Sequence, residues 1–199
     1  MKEKLLPEHK KAIDEIFEFI NNGSFYLSGG TGVYYYLEHR ESIDLDFFTS
    51  LKFNFLKYQS LFKKYKVLFF SEDTIHTKIK DINMSFFYYP YPLLKPLNYI
   101  EGIPIASLED ILCMKINAII GRGSKRDFID VFFIMKNLKM SAENCIEMFR
   151  EKFGDYNPLI IYKAMNYFKD ADKEPEVKMI KEVDWEEIKK FFRKEFSEI

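Results

Sequence analysis

A pair of glycines and a pair of aspartates constrain this chain more than any other feature. Ser28-Gly29-Gly30-Thr31 is followed, thirteen residues after Thr31, by Asp44-Leu45-Asp46. Glycines at the mouth of a strand carry no Cβ, so backbone N–H groups there can close on phosphate oxygens. The second half, Ile43-Asp44-Leu45-Asp46-Phe47-Phe48, alternates acidic and apolar residues. Residues i and i+2 of a strand share a face. The pattern therefore predicts Asp44 and Asp46 projecting together while Ile43, Leu45 and Phe47 enter the core. Two carboxylates beside a phosphate cradle can hold Mg²⁺ against a triphosphate. Taken singly, Gly-Gly is a common turn and Asp-x-Asp a common solvated strand face. Their order and spacing within one strand–helix–strand unit are what make the signal specific.

The same stretch resembles a known family. Gly29-Gly30-Thr31, a helix, His39-Arg40-Glu41-Ser42 and then Asp44-Leu45-Asp46-Phe47-Phe48 resemble the first signature of the AbiEii/AbiGii toxin-type nucleotidyltransferases, within the polymerase-β-like superfamily. Lys115-Ile116-Asn117-Ala118, then Lys125-Arg126-Asp127-Phe128-Ile129-Asp130-Val131, resembles the second signature, a helical lysine followed by Arg-Asp-x-x-Asp. Together they frame roughly residues 20–140.

The resemblance implies an α/β (α+β) fold, a nucleotidyltransferase-like mixed sheet with flanking helices. The expected division is a core at residues 1–140 and a helical C-terminal extension at 141–199. It implies Mg²⁺ (or Mn²⁺)-dependent transfer of a nucleoside monophosphate from an NTP to an acceptor hydroxyl, on RNA such as tRNA or on protein. A toxin role with a cognate antitoxin as partner follows from the same likeness. Asp44 and Asp46 would be the metal ligands and catalytic carboxylates. Ser28, Gly29, Gly30 and Thr31, with Arg40 and Ser42, would bind the nucleotide. Lys115 would support developing charge, and Asp127 would activate the attacking hydroxyl or order Lys115.

The residues themselves leave alternatives beside those roles. Arg40 could meet a phosphate or form an ion pair, and Ser42 could simply open the strand. Lys115 could snorkel out of an apolar helix. Asp127 and Asp130, three apart and so on one face, could serve the N-terminus of their own helix. Arg122, Lys125 and Arg126 are the densest basic cluster, suited to gripping phosphate or acceptor.

One departure stands out. Transferases of this superfamily carry a third carboxylate on a later strand, where Asn83-Met84-Ser85 stands here. Either Asp44 and Asp46 suffice, or Asp127 or Asp130 joins them, or the chain is a catalytically silent nucleotide-binding or interaction module. Incidental glycines and acids in a structural protein are a third possibility.

A net charge of −1 offers no general attraction for a nucleic-acid backbone. With 47% hydrophobic and 18% aromatic residues, 199 residues suffice for a well-packed core. Cys113 and Cys145 lack metal or redox spacing and read as free thiols. No signal-peptide core occupies residues 1–7 and no uncharged run is long enough to span a bilayer, so a soluble cytoplasmic chain without membrane association is expected.

Periodicity predicts a helix over 7–22, a strand over 24–28, a helix over 31–38 and another over 54–65, with Lys57, Lys63 and Lys64 as a basic face. Strands are expected at 66–70, 74–80 and 84–89 as antiparallel neighbours, with an edge piece at 103–105 because of Pro104. Ser107 caps a helix that runs to Gly121, and a second helix covers 126–138. Helices at 141–153, 158–168 and 184–196 follow, with a charged linker at 170–182.

Overall fold

Pro7 starts α1 (Pro7–Asp14), and α2 (Phe17–Asn22) follows after a break. The single helix expected over 7–22 is interrupted because Ile16 is not helical (φ −134°, ψ 20°). The backbone carbonyl of Glu15 accepts a hydrogen bond from the Tyr65 hydroxyl at 3.4 Å, and the Glu15 carboxylate takes the same hydroxyl at 2.8 Å. The computed structural model describes residues 1–53 and 55–197, without the side chains of Phe55, Leu56 and Lys57. The expectations that Asn54 opens a helix, that Phe55 and Leu56 turn inward and that Lys57 is basic surface lie outside the described residues.

Two compact units form. The first comprises Met1–Gly32, Ser42–Pro92 and Pro96–Ala106, the second Val33–Glu41, Leu93–Lys95 and Ser107–Ile199. After α2, β1 (Tyr26–Ser28) passes directly into α3 (Gly29–Leu37), whose first turn belongs to the first unit. Next come β2 (Leu45–Thr49), α4 (Phe55–Phe62), β3 (Lys66–Phe70), β4 (Thr74–Ile79), β5 (Ile82–Tyr88), β6 (Asn98–Ile100) and β7 (Ile103–Ile105).

The strands of the first unit form a seven-stranded mixed sheet in the order β3-β4-β5-β2-β1-β7-β6. As expected, β3, β4 and β5 are antiparallel neighbours. Parallel pairing of β5 with β2, and antiparallel pairing of β2 with β1, continue the sheet. β7 is not at the edge: it pairs with β1 on one side and β6 on the other. Pro104 is tolerated because pairing with β1 engages the chain beyond the proline, through Ile105 opposite Leu27 and the Ala106 N–H on the Leu27 carbonyl.

One sheet face is the core of this unit. Phe86 stacks on Phe47 (5.4 Å between centroids) and meets Phe19, Phe25 and Phe62 edge-on. Each ring of this kind is worth about 1.5–3 kcal/mol of burial.

The second unit is helical after α3: α5 (Leu108–Arg122), α6 (Lys125–Leu138), α7 (Ala142–Phe153), α8 (Pro158–Met165) and α9 (Trp185–Glu195). Ser107 caps α5 by accepting from the Asp110 N–H, and Gly123 ends it in the left-handed region at φ +60°. Buried Lys152 of α7 pairs with buried Asp110 of α5 at 2.7 Å. Phe128 of α6 packs against Phe168, Trp185 and Phe192. These α5 and α6 contacts with the C-terminal helices are why α5 and α6 group with them. The expected charged linker contains a short 3₁₀ turn (Ala171–Lys173) and donates Glu174 to the N-terminus of α6, where its carboxylate accepts from the Lys125 N–H at 3.0 Å. Among the described residues no helix is long and apolar enough to cross a membrane.

Candidate active site

The first unit gathers Ser28, Gly29, Gly30, Thr31, Ser42, Asp44 and Asp46. Strand β2 alternates as its sequence requires: Leu45, Phe47 and Thr49 are buried, while Asp46 and Phe48 are half-buried on the other face. Asp46 lies opposite Ser28 on β1. Gly29 has φ +66°, and a Cβ there would stand 2.6 Å from Asp46 Oδ2. Glycine is therefore what lets α3 begin against this carboxylate.

Asp44 precedes the strand and is exposed, held directly by Thr31 and Asn83. The Thr31 hydroxyl donates to the Asp44 carbonyl, so the Ser42 hydroxyl must donate to Thr31 Oγ1, 2.8 Å away. Asn83 Nδ2 donates to Asp44 Oδ1 at 3.0 Å. One residue earlier, His9 Nε2 donates to the Ile43 carbonyl at 2.9 Å. Ile43 is 56% exposed, contrary to the expectation that it enters the core. Its carbonyl is turned in toward His9, and the strand alternation begins only at Leu45.

Ser28 and Thr31 are almost fully buried. The Thr31 side chain thus ties the start of α3 to the aspartate segment. The contact of His9 with the Ile43 backbone is one that the sequence reading missed. The available signal was its place on the buried stripe of α1 with Ala12 and Ile13.

Where the sequence reading looks for a later acid, β5 presents Asn83 and Ser85. Asn83 reaches Asp44, and Ser85 lies opposite Asp46 in parallel register. Among the described residues no three His, Cys, Asp or Glu side chains converge as a metal cage. Asp44 and Asp46 are two hard oxygen donors, a set that would suit a small hard cation bringing the rest of its coordination from substrate phosphate and water, such as Mg²⁺.

In the second unit, Lys115 of α5, Asp127 and Asp130 of α6, and His39 and Arg40 after α3 form a buried ion-pair network. Arg40 grips Asp130 with two parallel bonds, Nε to Oδ1 at 2.7 Å and Nη2 to Oδ2 at 2.8 Å. Lys115 Nζ lies 2.8 Å from Asp127 and 2.7 Å from Asp130. His39 Nε2 meets Asp130 Oδ1 at 2.7 Å, and Arg122 Nε meets Asp127 Oδ2 at 2.7 Å. His39 Nδ1 has no hydrogen-bond partner among the described atoms.

Arg40, Lys115, Asp127 and Asp130 are almost completely buried, whereas the Arg122 side chain is 66% exposed. Burial alone would raise the Asp130 pKa, but the charges of Lys115 and Arg40 outweigh it and hold the carboxyl well below its ordinary value. Burial likewise opposes ionisation of Lys115, and Asp130 and Asp127 outweigh it to raise the lysine. Asp127 is lowered by Lys115 and Arg122 against the effect of its burial. Within the basic cluster, Lys125 is buried with its amine on the Glu174 carbonyl and Glu176 carboxylate, while Arg126 is exposed.

A family model described as nucleotidyl transferase AbiEii toxin, Type IV TA system, matches residues 57–198. The chain belongs to the AbiEii nucleotidyltransferase family. The AbiEii match includes Lys115, Asp127 and Asp130 and lies beyond the glycine and Asp44–Asp46 stretch. An uncharacterized protein of Aquifex aeolicus (strain VF5) is 34% identical over 204 residues, covering 98% of this chain and 97% of that protein. A crystal structure of a candidate nucleotidyltransferase from H. pylori covers 96% of this chain and 94% of its own, with TM-score 0.60 and 20% identity. ANT(2″)-Ia in complex with adenylyl-2″-tobramycin covers 72% of this chain and 93% of its own, with TM-score 0.51 and 13% identity. At these identities the likeness is one of fold, and the mixed α/β fold of this AbiEii member is that of nucleotidyltransferases.

Proposed function

We propose that this nucleotidyltransferase moves a nucleoside monophosphate from an NTP to an acceptor hydroxyl, using Asp44 and Asp46 as ligands for Mg²⁺ (or Mn²⁺). The observation that carries the reading is the approach of Gly29 to Asp46 on the face that also carries Asp44. An accessible backbone turn and two acids meet there, the arrangement needed to hold a metal-bound triphosphate. The acceptor oxygen attacks the α-phosphorus, the bond to the β-phosphate oxygen breaks, and pyrophosphate leaves with the electron pair. The acceptor proton passes to solvent or a base. The bound cation supplies charge neutralisation. This chain's residues orient the phosphates, through the backbone of Gly29 and Gly30 with Ser28, and fix the Asp44 segment, through Thr31, Ser42, Asn83 and His9.

Of the two roles open to Asp127, its pairing with Lys115 and Arg122 favours ordering Lys115 over removing a proton. Roles for Lys115 and Arg40 toward substrate are tested with Lys115→Met and Arg40→Gln, each read against a thermal melt because both side chains also hold the network. A toxin role with an antitoxin partner is the biological setting that the family description suggests.

A second reading, a nucleotide-binding module without transfer, is favoured by Asn83 standing where an acid is expected. The deciding experiment is Mg²⁺-dependent incorporation of each α-labelled NTP into total RNA and into protein, with Asp44→Ala/Asp46→Ala as control. Label transferred by the wild type and lost in the double variant supports transfer. Nucleotide binding without transfer supports the second reading, and absence of both overturns the site.

A further inference from the structure

The register extends the Asp46 row away from β1. Asp46 lies opposite Ser85, Ser85 opposite His76, and His76 opposite Phe69. Directly paired residues share a face, so these side chains form one line across β2, β5, β4 and β3. With strands about 4.8 Å apart, the line runs roughly 14 Å from Asp46 to the edge strand. Aromatic rings mark it: Phe48 stacks on Phe87 at 5.0 Å, His76 meets Phe87 at 5.5 Å, and Phe69 meets His76 at 5.7 Å.

A second row lies beside the first. Asn83, bonded to Asp44, lies opposite Lys78, and Lys78 opposite Lys66. The face is open: Phe69 is 53% exposed, Lys66 and Lys78 are exposed, and Ser85, His76 and Phe87 are half-buried. The rings that build the core of this unit, Phe47 and Phe86, are on the opposite face with Phe19 and Phe62.

Two lysines directly across a strand pair repel each other. Asp81 offsets this weakly, 3.3 Å from Lys78 with its own side chain 96% exposed. The fold gains nothing from that pair, whereas a row of external phosphates would. Half-exposed rings on an open sheet offer π-faces for bases, and neighbouring ammonium groups offer partners for the backbone between them. A polycationic acceptor would meet Lys66 and Lys78 as like charges.

We infer that this face binds a single-stranded nucleic acid and that the strand is the acceptor, its hydroxyl led along the row toward Asp44 and Asp46. The acceptor half rests on the transfer reading above, and the binding half does not.

The test is fluorescence anisotropy of the full chain with fluorescein-labelled twelve-residue oligouridylate and oligothymidylate, without NTP or metal. Wild type should bind both, or prefer one. Phe69→Ala and His76→Ala should each weaken binding by roughly fivefold to a hundredfold, the range for loss of one stacked base. Lys66→Gln with Lys78→Gln should lower the slope of log affinity against log salt by about 1.4, two phosphates' worth. These positions are exposed or half-buried, and unchanged melting curves confirm intact folding. In the transfer assay, Phe69→Ala should raise the KM for the oligonucleotide and leave that for NTP unchanged.

No binding by wild type, preference for duplex, or binding that survives all four substitutions overturns the inference. If Asp44→Ala/Asp46→Ala abolishes transfer while oligonucleotide binding ignores these rows, the inference fails alone. If the rows govern binding but no transfer occurs, the transfer reading fails and the binding face stands.

Discussion

A Cβ on Gly29 would stand 2.6 Å from the Asp46 carboxylate, and Gly29 holds φ +66°. Backbone conformation and side-chain space thus both require glycine at this position. Gly29→Ala should cost about 1–3 kcal/mol of stability in urea unfolding. It should also displace Asp46, so nucleotide transfer should fall further than the folded fraction does. Gly121, in the last turn of α5 with open space where a methyl group would stand, is the control. Gly121→Ala should be neutral or stabilising by about 0.4–1 kcal/mol.

Asn83 donates to Asp44 where an acid would compete with it. Asn83→Asp should destabilise the metal-free protein at neutral pH, because two carboxylates then face each other. It should also strengthen Mg²⁺ binding, because the cation would resolve that repulsion. The expected readout is a larger Mg²⁺-induced rise in Tm for Asn83→Asp than for wild type. Equal shifts would mean that Asp44 does not face the bound cation.

Asp130 receives Arg40, Lys115 and His39 with no exposure to water. Removing its charge leaves two buried cations short of a partner, so Asp130→Asn should cost about 3–5 kcal/mol at neutral pH. Its folded pKa is depressed, since the charges of Lys115 and Arg40 outweigh burial. A depressed carboxylate contributes stability above its unfolded pKa, near 4, and that contribution disappears as pH falls through the folded value. Wild type should therefore lose stability below about pH 4, and Asp130→Asn should flatten that acid arm. Urea titrations between about pH 2 and pH 7 check both outcomes.

Cys113 and Cys145 are fully buried. Burial pushes the Cys113 thiol up, and pushes Cys145 to about 12. A thiol must ionise to react, so neither should react with Ellman's reagent at about pH 8 in the native state. Both of the chain's cysteines should react in denaturant. Rapid native labelling of either would contradict the packing around α5 and α7.

Much of the fold was legible along the chain because its causes are local. The β2 alternation at Leu45–Thr49, the antiparallel run of β3, β4 and β5, the Ser107 cap and the extent of α6 each depend on neighbours within a few residues. Expectations failed where a distant partner decided. Tyr65 holds the Glu15 carboxylate at the break between α1 and α2, and His9 turns the Ile43 backbone inward. β1 pairs with β7, which moves Pro104 off the edge.

The candidate site divides in the same way. Residue type and spacing alone placed Gly29, Gly30, Asp44 and Asp46 around one strand–helix entrance, because a period of two and a missing Cβ are properties of the local chain. Sequence also singled out Arg40, Lys115, Asp127 and Asp130 as unusual. What it could not decide was whom they meet, since Arg40 and Asp130 lie 90 residues apart. Burial of that carboxylate is tolerable only when folding delivers several donors to it at once. Periodicity and backbone freedom are written residue by residue, whereas the pairing of buried charges exists only once the helices have packed.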